Sequence, residues 1–250
     1  MPTLEKNLPA ERRSALAIDT SEYDKAMELA SVAHKAGASV VKLGLELITA
    51  TSPQACSDIA KANKLDWVAD AKLDDIPNTV AGAVRNLSKL AHPPVGITVH
   101  TNSGIEAMQA AEEIASANGI TMLGVTLLTS ISQEEAMSVY GMTREEVVDR
   151  RLRSAVIAGI GGYVCSPKEL AKVVNGVREY EDMFGFIPGT RSVGADAQDQ
   201  KNVLTPYQAI LDGADMLVIG RQVTGAADPA AAFEAVTAEI QQGIDERSIA

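Results

Sequence analysis

Two lysines and three aspartates stand where strand geometry would bring charge together. In Trp67-Val-Ala-Asp70-Ala-Lys72-Leu-Asp-Asp75, alternation along a strand puts Val68, Asp70 and Lys72 on one face. It turns Trp67, Ala69, Ala71 and Leu73 to the other. Lys42 is in phase with Val40 and Gly44 on an earlier run, and Asp19 is in phase with Ala15 and Ala17 on the run before that. If these runs are neighbours, Asp19, Lys42, Asp70 and Lys72 form an inward row of alternating sign. Opposite neighbours hold lysines protonated and carboxylates ionised. A protonated amine fixed in this way is an acid that needs neither metal nor cofactor. The plainer reading of Asp70 and Lys72 is an ion pair at the rim, although desolvating such a pair is costly unless the pair has a use. Asp75 lies beyond the strand, and Pro77 suits a helix start.

Charged residues can converge in this way only on a scaffold that sets strands side by side. Short apolar runs recur at 14–19, 39–44, 67–72, 95–100, 121–129, 162–166, 183–188 and 216–220, with helical patterns between them. Ser21 reads as an N-cap, with Met27, Leu29, Ala30 and Ala33 as the buried stripe behind it and Gly37 as the stop. Helices are expected at 105–117, ending at Asn118-Gly119, and at 143–158, ending at Gly159. The last should open at Asp228-Pro229. Strand alternating with helix implies a parallel sheet, and about eight such units imply a closed α/β (β/α)8 TIM barrel. An open doubly wound sheet is disfavoured because no Gly-rich turn follows the first run. With no linker or composition break, residues 1–250 read as a single domain. Asp19, Lys42, Asp70 with Lys72, His100 and Thr129 then close the first five strands at the end where barrels carry their sites.

Other candidates group at the end of the chain. Gly220-Arg221 follows the last run and Pro188-Gly-Thr-Arg191 the seventh, where barrels often bind phosphate. Arg221 is therefore a candidate anion clamp, with Arg191 beside it at the head of a long Gly- and Ala-containing loop that could close over a ligand; the plainer reading of both is as surface arginines. His100 can face the barrel, either as a base or as an oriented structural residue. His34 and His92 read as surface residues, and Cys56 and Cys165 as buried thiols. No cluster has metal-ligand spacing, and Thr129 and Ser130 have no evident base partner.

The 250 residues are 46 % hydrophobic and 22 % charged, ordinary for a soluble protein. A formal net charge of −11 disfavours nucleic acid and anionic membranes over the surface as a whole. No apolar run approaches the ~20 residues of a membrane helix. Two distant cysteines and no leader-like start point to the cytoplasm.

Asp70-Ala-Lys72-Leu-Asp-Asp75-Ile76-Pro77-Asn78-Thr79 resembles the signature of the orotidine 5'-monophosphate (OMP) decarboxylase family. Further stretches match in order: Leu16-Ala-Ile-Asp19, Val41-Lys42-Leu-Gly44, Val99-His100, Val125 to Ser130, Pro188-Gly-Thr-Arg191, Asp199-Gln200-Lys201 and Val218-Ile-Gly220-Arg221. The resemblance implies conversion of OMP to UMP and CO2 in de novo pyrimidine synthesis, without cofactor or metal. It implies Lys42, Asp70, Lys72 and Asp75 as the catalytic network, with Lys72 stabilising and protonating a carbanion at C6. It also implies substrate contacts from Asp19, Ile76, Thr79, Thr129, Pro188, Arg191, Gln200, Gly220 and Arg221. A homodimer follows, in which Asp75, Ile76 and Thr79 complete the neighbour's site. The chain departs from the family at Thr190, where Ile is usual, and at Gln222, where Pro is usual. Both changes are expected to touch loop packing only. Related sugar-phosphate decarboxylases share the Asp-x-Lys-x-x-Asp pattern but use a metal. A non-catalytic binder of phosphorylated metabolites is a third reading, and the intact charged residues argue against it.

Overall fold

A computed structural model describes residues 4–192 and 204–248. Eight parallel strands run in chain order and close on themselves. They are β1 (Ser14–Ile18), β2 (Val40–Gly44), β3 (Asp66–Leu73), β4 (Gly96–His100), β5 (Thr121–Val125), β6 (Gly162–Val164), β7 (Phe184–Pro188) and β8 (Met216–Ile219). Closure is the pairing of β1 with β8, Ser14 opposite Leu217. The helices used below are α1 (Tyr23–Lys35), α2 (Leu45–Ala50), α3 (Pro53–Ala62), α4 (Pro77–Ser88), α5 (Ile105–Ala117), α6 (Gln133–Tyr140) and α7 (Arg144–Ala158). The last helix, Pro229–Arg247, opens under an Asp228 cap on the Ala231 amide.

Alternation sorts the side chains into two apolar cores. Ala15, Ala17, Val40, Val68, Phe186 and Val218 point into the barrel, while Leu16, Ile18, Val41, Trp67 and Ala69 face the helices. Leu4 and Leu8, ahead of β1, pack onto the interior core. The N-terminal segment is further tied down by Arg13 donating to the Leu8 carbonyl (2.6 Å) and by a Lys6–Asp215 pair (3.5 Å).

The expected helix ends at Asn118-Gly119 and Gly159 hold, with Gly119 and Gly159 in the left-handed region that glycine tolerates. α7 begins with a reciprocal cap in which the Thr143 hydroxyl accepts from the Glu146 amide and the Glu146 carboxylate accepts from the Thr143 amide. Three details differ from expectation. α1 starts at Tyr23 with Glu22, not Ser21, at the N-cap, because the Thr20 hydroxyl already accepts from the Glu22 amide (3.2 Å). β5 stops at Val125, so Thr129 lies on the loop beyond it. His92 is half-buried at the foot of the barrel, its ring bonded to the Leu65 carbonyl (2.8 Å) and its own carbonyl accepting from the Trp67 indole (2.9 Å).

Candidate active site

Strict alternation fails at the third strand. Ala69 stands opposite Ile97 and Leu73 opposite Val99, so four steps on β3 match two on β4. The surplus is a bulge. Within it Lys72 has φ of 45°, one of three described non-glycine residues with positive φ. A left-handed conformation is uncommon for a long side chain and survives where surrounding contacts enforce it. The enforcing contact is on β4, where the Thr98 hydroxyl accepts from the Lys72 amide (2.8 Å).

The bulge aims both charges of β3 at one place. Lys72 Nζ lies 2.9 Å from Asp70 Oδ1. Asp70 Oδ2 lies 3.2 Å from Lys42 Nζ, which is also 3.1 Å from Asp19 Oδ1. Thr98 donates to Asp70 Oδ1 at 3.1 Å. The row from Asp19 to Lys72 therefore exists, with Asp70 buried at its centre. Burial alone would push the Asp70 carboxyl up. Lys42 and Lys72 outweigh it and hold the carboxyl below its usual range. Burial likewise opposes the charge on Lys42, and Asp70 and Asp19 reverse this, raising its pKa. Gly44 leaves room for the row, since a Cβ there would sit 3.3 Å from Lys42 Nζ.

These groups line a cavity of about 610 Å3 at the C-terminal mouth of the barrel. Leu127, Leu128 and Thr129 from the β5 loop form one side. Pro188 and Arg191 follow β7, and Gly220 and Arg221 follow β8. Arg191 is buried, donates to the Thr190 carbonyl (2.8 Å), and takes its amide's partner from Leu204 across the loop base. Its pKa is lowered by burial and then by the charge of Arg221. Both guanidiniums line the cavity, and their like charge there suits an anionic ligand.

Asp75, Ile76 and Thr79 are exposed and do not line this cavity. Asp75 accepts from the Ile76 amide (2.7 Å), just ahead of α4. Ile76 is 66 % exposed. Gln200 lies outside the described residues. His100 accepts at Nδ1 from the Asn102 amide (3.3 Å), capping the turn after β4. Burial first, then Arg151 and Lys72, lower its pKa against the pull of Asp74. Gln222 Oε1 accepts from the Ser192 amide (3.3 Å), while Gln222 Nε2 and Thr190 Oγ1 are buried without hydrogen-bond partners among the described residues. Among those residues no group of three or more His, Cys, Asp or Glu could hold a metal. Sequence reasoning missed Thr98, although it shares the phase of His100 and lies beside β3.

The family model for orotidine 5'-phosphate decarboxylase / HUMPS matches residues 13–236, which takes in every strand of the barrel. The chain belongs to that family. Among its relatives, orotidine 5'-phosphate decarboxylase of Rhodospirillum rubrum is 39 % identical over 235 residues, spanning 90 % of this chain and 92 % of the relative. The enzyme of that name from Thermobifida fusca is 40 % identical over 230 residues, 91 % of this chain and 95 % of the relative. The crystal structure of orotidine 5'-phosphate decarboxylase from Lactobacillus acidophilus superposes with a TM-score of 0.76 at 27 % identity, covering 92 % of this chain and 99 % of that one. The family's fold is therefore the closed barrel seen here, and the Asp70–Lys72 segment lies inside the matched region.

Proposed function

We propose that the chain decarboxylates OMP to UMP and CO2, acting as one decarboxylase domain over residues 1–250. The observation that carries this reading is the Lys42–Asp70–Lys72 row, which presents a fixed ammonium at one end of a cavity whose other end is an arginine pair. The relatives' names supply the substrate. Its 5'-phosphate fits the end formed by Arg191 and Arg221, with Gln200 as a further contact, and its pyrimidine fits the lysine end. Asp19, Thr129, Pro188 and Gly220 line the path between them.

When the C6–carboxylate bond breaks, its electron pair stays on C6 and CO2 leaves. Lys72 stabilises that charge and donates a proton to C6, after which the amine is reprotonated from solvent. Asp70 faces the departing carboxylate, and loss of CO2 relieves their repulsion. A like-charge contact of this kind is worth about 4 kcal/mol at an effective dielectric of ~20. Enzymes lower barriers by roughly 8–23 kcal/mol. Repulsion is thus a minor share, and the ammonium placed in advance together with binding energy from the remote phosphate must supply more. Thr98 and the bulge serve the first of these, since they fix Lys72 before substrate arrives.

Asp75, Ile76 and Thr79 belong to this reading as parts of a homodimer. Their exposure at the start of α4 supports it, because Asp75, Ile76 and Thr79 together present polar and apolar side chains outward to a neighbouring surface. The setting is the cytoplasm and de novo pyrimidine synthesis, and no described helix is long and apolar enough to cross a membrane. The test is the fall in OMP absorbance on adding purified protein, with and without excess EDTA. Turnover should be the same in both. Activity lost to EDTA and restored by Mg2+ would instead favour a metal-using sugar-phosphate relative of this family.

A further inference from the structure

Helix α7 carries two arginines that the chemistry above does not use. Arg144 and Arg151 are seven residues apart and therefore share a helix face. Both are buried, at 6 % and 9 % exposure. Each donates to a main-chain carbonyl of the segment after β5, Arg151 to Thr126 and Arg144 to Ile131. Each also reaches a neighbouring loop. Arg151 donates to Asn102 Oδ1 (3.1 Å) in the turn after β4 and lies 4.8 Å from the centre of the Tyr140 ring. Arg144 pairs with Glu169 (2.8 Å), whose other oxygen accepts from the Ser166 amide after β6 (3.1 Å).

A buried guanidinium is expensive to desolvate, and an apolar side chain of similar size often serves packing as well or better. The use made of these two is directional. They grip residues 126–131 at both ends, and between the grips lie Leu127, Leu128 and Thr129, which line the cavity. Two hydroxyls continue the chain of contacts, Thr101 donating to the Val125 carbonyl (2.9 Å) and Thr126 to the Val164 carbonyl (2.8 Å). β5 stands four strands from β1 around the barrel, so this segment faces the ligand from the side opposite Asp19.

We propose that Arg144 and Arg151 are positioning residues that hold 126–131 as a rigid wall against the base of the bound nucleotide. The identity of that ligand rests on the decarboxylase reading; the clasp itself does not. Arg151→Lys keeps the charge but cannot hold two acceptors in a planar fork. Arg144→Met alone would strand the buried Glu169, so Arg144→Met is combined with Glu169→Gln. Arg153→Ala, on the exposed face of the same helix, is the control.

In both test proteins, amide hydrogen exchange over 126–131 should accelerate about tenfold or more while β1–β3 stay within about twofold of wild type. UMP should bind about tenfold more weakly in a calorimetric titration, ~1.4 kcal/mol, and the control should match wild type in both measurements. Exchange that is unchanged, or that rises equally everywhere, would reduce the arginines to general stabilisers. Local loosening with unaltered UMP affinity would overturn the wall. Should wild type neither bind UMP nor consume OMP, the decarboxylase reading fails, and exchange alone still decides the clasp.

Discussion

If OMP is the ligand, as proposed, Arg221 and Lys72 act at its opposite ends, and their removal should read differently with two substrates. Arg221→Ala should lower kcat/KM for OMP about 10²-fold, since one lost charge-assisted contact costs ~1.5–3 kcal/mol. It should barely alter kcat/KM for orotidine, which lacks the phosphate. Lys72→Ala should abolish both reactions. Steady-state kinetics with the two substrates make the comparison, and an equal fractional loss in Arg221→Ala would remove that residue from the phosphate end. Elsewhere, Glu112 on α5 has one carboxylate oxygen buried without a partner among the described residues, and burial pushes its pKa up to about 7 although the Gly161 amide pulls the other way. The folded state then holds a proton that the unfolded chain releases from its usual pKa of about 4.5 upward. Stability should fall as pH rises between those two values. Urea titrations of wild type and Glu112→Gln should therefore diverge from pH 5 to pH 8 in favour of the variant. Parallel curves would show that the carboxylate titrates normally.

At the scale of elements, legibility followed periodicity. Lys42 and Asp70 could be paired from the sequence because period two holds along β2 and through the first half of β3. Ahead of Lys72 it breaks, and a bulge leaves no mark in a pattern of apolar and polar letters. Asp70 and Lys72 still meet because Thr98 on β4 holds both, accepting from the Lys72 amide and donating to the Asp70 carboxylate. Thr98 and the α7 arginines escaped notice for a different reason. Thr98 meets the Lys72 amide, and the arginines meet the Thr126 and Ile131 carbonyls, and a contact to the main chain has no partner letter to read. β6 offers a test of how tightly the strands are set. A Cβ on Gly162 would fall 2.6 Å from Leu123 Cδ2 and 2.8 Å from the Phe184 carbonyl oxygen. Gly162→Ala should cost about 1–3 kcal/mol through overpacking, seen as a lower denaturation midpoint at unchanged m. An unshifted midpoint would mean that β6 and β7 part without strain.

For the whole molecule the open question is how many chains make one site. Lys72→Ala and Asp75→Ala proteins, each nearly inactive, should regain activity when dissociated and reassociated together. If Lys72 of one chain works with Asp75 of the other, half the sites in a mixed dimer carry both lesions and half carry none. Verified mixed dimers as inactive as the parents would place Asp75 in its own chain's site.

Closure of the barrel sets a schedule for the newborn chain. β1 emerges from the ribosome early, but its second partner, β8, is among the last strands made, with Ser14 waiting for Leu217. At ~5–20 residues per second that wait is roughly 10–40 s. Throughout it one edge of β1 offers unpaired amides and carbonyls to any passing strand. That interval ends only when β8 arrives and closes the barrel, so the same pairing that completes the fold also removes its last open edge.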